Sequence, residues 1–227
     1  MRAILFDVDG TLVLTGKADG PCFGEAYETV FNETPQSTSW DDYAHVTDWG
    51  ILDEALGAAR GRSSTLAERT AFEREYREAW RRRNTRDPSS CIEVPGAAML
   101  VKTITTNDRT VCGVATGGTR LAAQHKLQTV GIDTSSLRGA FANGAITRAS
   151  IVRNGIQALG VAPADVVYLG DGRWDVVTCR ALGIAFVGIA AESSPEMLLA
   201  AGAQTILRDF NDHDTFWNAV HQAKPPA

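Results

Sequence analysis

Apolar residues along this chain gather in short runs separated by amphipathic stretches. The first run, Ala3-Ile4-Leu5-Phe6, breaks at Asp7-Val8-Asp9-Gly10-Thr11. Others occupy 111–115, 166–169 and 184–189, with a weaker one at 204–207 and a short one at 139–142. Unbroken apolar runs of strand length read as strands buried on both faces. The segments between them, at 119–130, 150–159 and 176–182, carry helical periodicity. Strand alternating with helix predicts an α/β fold: a Rossmann-like, doubly wound parallel sheet with right-handed crossovers.

Residues from about 19 to 86 interrupt that alternation, since no strand pattern occurs there and helical patterns cover 21–32, 48–60 and 65–83. Phe72, Tyr76 and Trp80 fall at successive i, i+4 positions and make one apolar stripe, which reads as packing. The expected organisation is a core built from 1–15 and 90–227 with an inserted all-helical domain, 16–89. The stretches 12–20 and 85–95 would carry the chain out of the core and back. The 224–227 tail is expected to fray.

Composition narrows the function classes. The formal charge of −5 argues against a general nucleic-acid or anionic-membrane surface. No run approaches the roughly 18–20 apolar residues of a membrane helix. Cys22, Cys91, Cys112 and Cys179 lack metal-site spacing and read as reduced thiols, so a cytoplasmic protein is expected.

Three predicted strands end in polar, glycine-bearing clusters: Asp7-Val8-Asp9-Gly10-Thr11, Thr116-Gly117-Gly118-Thr119, and Gly170-Asp171-Gly172-Arg173-Trp174-Asp175. In an open parallel sheet the ligand crevice lies beyond the carboxyl ends of the strands, so the topology brings the three together. Each alone has an ordinary explanation as a turn or a helix cap. Their joint occurrence points to a site. Paired carboxylates there imply a cation, and a hydroxyl followed by glycines at a helix start makes an anion cradle.

In these clusters the chain resembles the haloacid dehalogenase superfamily, particularly its phosphoglycolate-phosphatase-like members with a helical cap. Asp7-Val8-Asp9-Gly10-Thr11 matches the first motif of that family, Thr116 the second, and Gly170-Asp171-Gly172 through Asp175 the fourth. The resemblance implies that Asp7 is a nucleophile forming an aspartyl-phosphate and that Asp9 is the general acid and base. It further implies that Asp7, the backbone carbonyl of Asp9 and Asp171 hold Mg²⁺. Gly10, Thr11, Thr116 and Gly117 would bind the phosphoryl group, and Asp175 is either a helix cap or a support for the metal or cation site. The third motif departs from the family pattern, because Arg148 stands where a lysine is expected. It is either an exposed helix-starting arginine, with Arg153 a second candidate, or a bulkier cation serving phosphate.

The inserted domain would choose the substrate, a small phosphorylated metabolite, for which the resemblance implies a two-carbon acid such as phosphoglycolate. Thr47 and Asp48 are substrate-contact candidates, with Asp48 as a simple helix cap the competing reading. The arginines at 81–83 and 86 either steer an anion or complement a helix dipole. Asp9 disfavours a dehalogenase, which needs no acid there. A phosphonoacetaldehyde-type hydrolase would need a lysine in the insert, which offers only Lys17. A sugar phosphomutase uses the same groups and stays open, as does a non-catalytic phosphate binder. An EF-hand fails on spacing, since Gly10 comes fourth rather than sixth.

Overall fold

A computed structural model describes residues 2–106, 110–135 and 137–227. The strands β1 (Ala3–Phe6), β2 (Val13–Leu14), β3 (Ile92–Glu93), β4 (Cys112–Ala115), β5 (Arg138–Ala140), β6 (Val166–Gly170), β7 (Ala185–Ile189) and β8 (Ile206–Leu207) form two sheets. Six make one parallel sheet in the order β5-β4-β1-β6-β7-β8, with the expected doubly wound α/β topology. All of β1, β4, β6 and β7 is buried, and alternate residues supply two cores. Ile4, Phe6, Val167 and Leu169 lie on one face, and Ala3, Leu5, Val166 and Tyr168 on the other. That two-sided burial is why these segments are apolar without a break.

Helices α4 (Ala97–Thr105), α5 (Arg120–Thr129), α6 (Arg148–Leu159), α7 (Arg173–Leu182), α8 (Pro195–Ala201) and α9 (His213–Gln222) belong to the sheet region. Between β2 and β3 lie three helices, α1 (Asp19–Phe31), α2 (Asp48–Arg60) and α3 (Leu66–Arg86). Thr65 and Glu68 start α3 by reciprocal capping, each side chain accepting from the other's backbone N–H. Phe72, Tyr76 and Trp80 are buried along one side, with Phe72 and Tyr76 packed on Phe23 of α1. The outgoing and returning segments are not loops throughout. They pair as an antiparallel ribbon, Val13 with Glu93 and Leu14 with Ile92, and α3 runs on to Arg86. Nor does the tail fray, because the Lys224 carbonyl accepts from Phe186 N–H on β7 and Ala227 N–H donates to Gly202.

Candidate active site

Register levels the carboxyl ends of β1, β4 and β6. Phe6 pairs with both Val114 and Leu169, so Asp7, Thr116 and Asp171 emerge side by side. Asp7 is buried, and its backbone N–H donates to the Leu169 carbonyl at 2.8 Å. A carboxylate oxygen from each of Asp7, Asp171 and Asp175 falls within 4.8 Å of the others. Among the described residues, the Asp171 side chain accepts only from Ser193 Oγ, 3.0 Å away. Loss of solvation, then the nearby Asp7 charge, pushes the Asp171 carboxyl well above the ordinary range. Buried acidic oxygens with so little compensation fit a hard divalent cation, and the all-oxygen donor set suits Mg²⁺. Gly10 makes room for this cluster. It adopts φ of +74°, and a Cβ there would stand 2.0 Å from Asp171 Oδ2, so the turn needs glycine on both counts.

Arg148 opens α6, whose N-cap Thr147 accepts from Ser150 N–H. Its side chain is only 11% exposed and reaches the site, with Nη1 donating to Asp7 Oδ1 at 3.2 Å and Nε 3.6 Å from Asp175 Oδ1. Arg153 is exposed. Burial opposes the Arg148 charge, but Asp7 and then Asp175 more than restore it. Asp175 has partners on more than one side. It caps α7 by accepting from Gly172 N–H at 3.2 Å, and it faces the guanidinium. Thr116 and Gly117 line the same cavity. A Cβ on Gly117 would lie 2.7 Å from the Val46 carbonyl and 3.2 Å from Arg148 Nη2, so this position stays bare where inserted helices and cation converge. Thr11 is fully buried away from the cavity, whereas Gly10 lines it.

Thr47 and Asp48 both line the cavity, and both also fasten the insert to the core. Thr47 Oγ1 donates to the Ile146 carbonyl at 2.5 Å and accepts from Gly50 N–H as the α2 cap. Asp48 N–H donates to the Gly117 carbonyl, and its Oδ2 accepts from Thr119 N–H at 2.6 Å. Glu73 of α3 likewise accepts from Leu121 N–H at 3.0 Å. Two carboxylates from the insert therefore take two of the N–H groups at the start of α5 and meet its positive dipole end, while Arg120 N–H donates to Asn143 Oδ1 at 2.6 Å. The arginine cluster at the end of α3 pairs at the surface, Arg81 with Glu78, Arg82 with Glu25 and Arg83 with Asp87.

One group escaped sequence reasoning. Lys126 of α5 is 2% exposed, and its Nζ donates to Asp9 Oδ1 and Asp19 Oδ1, both at 2.7 Å. Tyr76 Oη also donates to Asp19 Oδ1, at 2.6 Å, and Lys126 Nζ lies 4.5 Å from the Trp80 ring centroid. Burial opposes the ammonium, but Asp19 and then Asp9 hold it firmly charged. The signal in the sequence is a lysine on the same helical face as Ala122, Ala123 and Leu127, all buried.

Burial is the main force on the carboxyls here. It pushes Asp7 up to about 6 against the opposing Arg148 charge, Asp9 up to about 6 against Lys126, and Asp48 up to about 7 with Asp19 adding to the rise. Unfolded aspartates titrate near pH 4, so between about pH 4 and pH 7 the folded state holds the extra protons and stability falls as pH rises. Exposed carboxylates held low, such as Glu68 at about 2 through its bond with Arg62, act below that window. Without added cation the melting temperature is expected to drop between about pH 5 and pH 7, and Mg²⁺ to raise it most at the upper end. A metal-free melting temperature that climbs across this range would contradict the assignment.

No curated protein matches the chain in sequence. Solved structures do match in fold. A hydrolase from Pseudomonas syringae superposes with a TM-score of 0.74 at 19% identity, covering 97% of this chain and 99% of its own. A predicted phosphatase from Clostridium acetobutylicum gives 0.63 at 17%, covering 97% and 98%. A predicted phosphoglycolate phosphatase from Haemophilus somnus gives 0.55 at 18%, covering 96% and 98%. The family model of the haloacid dehalogenase-like hydrolases matches residues 1–183, and with the sheet and its three converging loops as described, the chain belongs to that family.

Proposed function

We propose that this hydrolase is a Mg²⁺-dependent phosphomonoesterase that works through an aspartyl-phosphate on Asp7. The observation that carries the reading is the setting of the buried Asp7 carboxylate, with Arg148 Nη1 at 3.2 Å on one side and the Asp171 carboxylate on the other. A nucleophile so placed has a cation to receive phosphate and an acidic pair to receive a metal. Core 1–15 and 90–227 would perform the chemistry, and insert 16–89 would close over the leaving group and exclude water.

In this reading the substrate phosphoryl group lies between the Arg148 guanidinium, the Thr116 hydroxyl and the N–H group of Gly117, while Gly118 N–H donates to Thr116 Oγ1 at 3.1 Å and orients that hydroxyl. Asp7 attacks phosphorus as the ester P–O bond breaks, and Asp9 gives its proton to the departing oxygen. Asp9 then takes a proton from water, which attacks the acyl-phosphate, releases phosphate and restores Asp7. Mg²⁺ held by Asp7, Asp171 and the Asp9 carbonyl would offset the repulsion between anionic nucleophile and anionic ester. Asp175 faces Arg148 from behind and keeps it aimed at Asp7. The structural relatives named as phosphatases support the same chemistry, and a small metabolite in a reducing cytoplasm suits the cavity of about 200 Å³ and the four buried free thiols.

The test is phosphate release from a panel of small esters with and without Mg²⁺. Release that requires Mg²⁺ is expected. Exchange of phosphate between sugar hydroxyls without net release would identify a mutase, and binding of phosphate without turnover a non-catalytic descendant.

A further inference from the structure

Acidic side chains far outnumber basic ones in the cavity lining. Arg148 lies at the phosphoryl end, and among the described residues it is the only cationic side chain lining the cavity. It is already bonded to Asp7. Thr15 and, from the insert, Asp19, Trp40, Val46, Asp48 and Ile51 also line the cavity, and the leaving group would lie among them. The nearest other cation, Lys126, gives its ammonium to Asp9 and Asp19, lies beneath the Trp80 ring and does not line the cavity.

Asp9 and Asp19 share that one ammonium, and Asp48 pairs with no cation among the described residues. Asp19 uses Oδ1 for both Lys126 and Tyr76, and Asp48 uses Oδ2 for Thr119 N–H. Among the described residues no hydrogen bond reaches Asp19 Oδ2 or Asp48 Oδ1, although Asp48 is only 6% exposed. Neither oxygen is sealed from solvent, so both stay free to accept from a ligand that brings donors into the cavity. A second carboxylate brought there would meet like charge with no cation to receive it.

Resting on the phosphatase reading, we infer that the substrate is a phosphate monoester whose leaving group carries hydrogen-bond donors and no negative charge: an amino alcohol or a polyol rather than a hydroxy acid. Its ammonium or hydroxyl groups would donate to Asp19 Oδ2 and Asp48 Oδ1. The same carboxylates that clasp the insert to α5 thus select what is cleaved.

The experiment compares kcat/KM of the Mg²⁺-loaded enzyme for phosphoethanolamine, glycerol 3-phosphate, phosphoglycolate and acetyl phosphate, the last having a leaving group that needs no protonation. At least one donor-bearing ester is expected to exceed phosphoglycolate by about tenfold or more. The two donor esters separate an ammonium preference from a hydroxyl preference. Asp19→Asn should narrow the ratio. Asp48→Asn, whose amide oxygen still accepts from Thr119 N–H, should do the same and keeps the test open if Asp19→Asn fails to fold. Phosphoglycolate turned over as fast as or faster than both donor esters would overturn the inference and leave the phosphatase reading standing. No Mg²⁺-dependent release from any of the three esters or from acetyl phosphate would overturn both.

Discussion

Asp7→Asn is expected to fold normally and to lose turnover by on the order of 10⁴-fold or more, as removal of a covalent nucleophile does. The amide is nearly isosteric and keeps an oxygen to accept from Arg148 Nη1, so the pocket stays formed. It cannot attack phosphorus, because a neutral amide is a poor nucleophile and offers the metal one oxygen donor without charge. Burial also disfavours the Asp7 charge, with a carboxyl pushed up to about 6, so the neutral side chain should not weaken the fold. An unchanged or raised melting temperature with activity removed is the expected pair of readings. Substantial residual turnover would take the nucleophile role from Asp7.

Much of this site was legible in the sequence because its parts sit at strand ends. A run such as Ala3 to Phe6 that stops at two aspartates and a glycine shows both the strand and what it delivers, and the same holds at Thr116 and Asp171. Arg148 was legible as a position, while its role needed the fold to show it buried against Asp7 rather than exposed at a helix start. Lys126 and Asp19 were not legible as a pair. They lie 107 residues apart, one inside a helix and one where the insert begins, and only the packing of α3 on α5 brings them together. The ribbon joining β2 to β3 was hidden for a related reason: two-residue strands leave no periodicity to read. Thr47 and Asp48 were legible as cavity residues, but their bonds to Ile146, Gly117 and Thr119 depend on how the insert docks.

Lys126→Met should give the largest loss of stability of any single change considered for this chain. Methionine fills nearly the same space, so no large cavity opens, and its thioether takes the place of the ammonium over the Trp80 ring. What disappears is the ammonium that compensates Asp9 and Asp19. Removing one partner from a buried ionic group costs about 3–5 kcal/mol, because the remaining charge is stranded, and in a domain of this size that lowers the melting temperature by roughly 10 °C. Adding Asp19→Asn should recover part of the loss, since it removes one stranded carboxylate while its amide oxygen still accepts from Tyr76 Oη. Activity should fall as well, because Asp9 loses the bond that orients it. A loss below about 1 kcal/mol, or a double variant no more stable than Lys126→Met alone, would show that the cluster is solvated and carries little weight.

The most direct test of the account is to look for phosphate on Asp7. On the proposed mechanism Asp9→Asn removes the base that activates water against the acyl-phosphate, and acetyl phosphate has a leaving group that departs without an acid, so the first half-reaction should proceed and the second stall. Peptide mass spectrometry of the acid-quenched variant after incubation with acetyl phosphate and Mg²⁺ is predicted to find a phosphoryl group on Asp7, absent when Asp7→Asn is added. Phosphate on another side chain, or an enzyme that turns over esters while Asp7 is never phosphorylated, would contradict it.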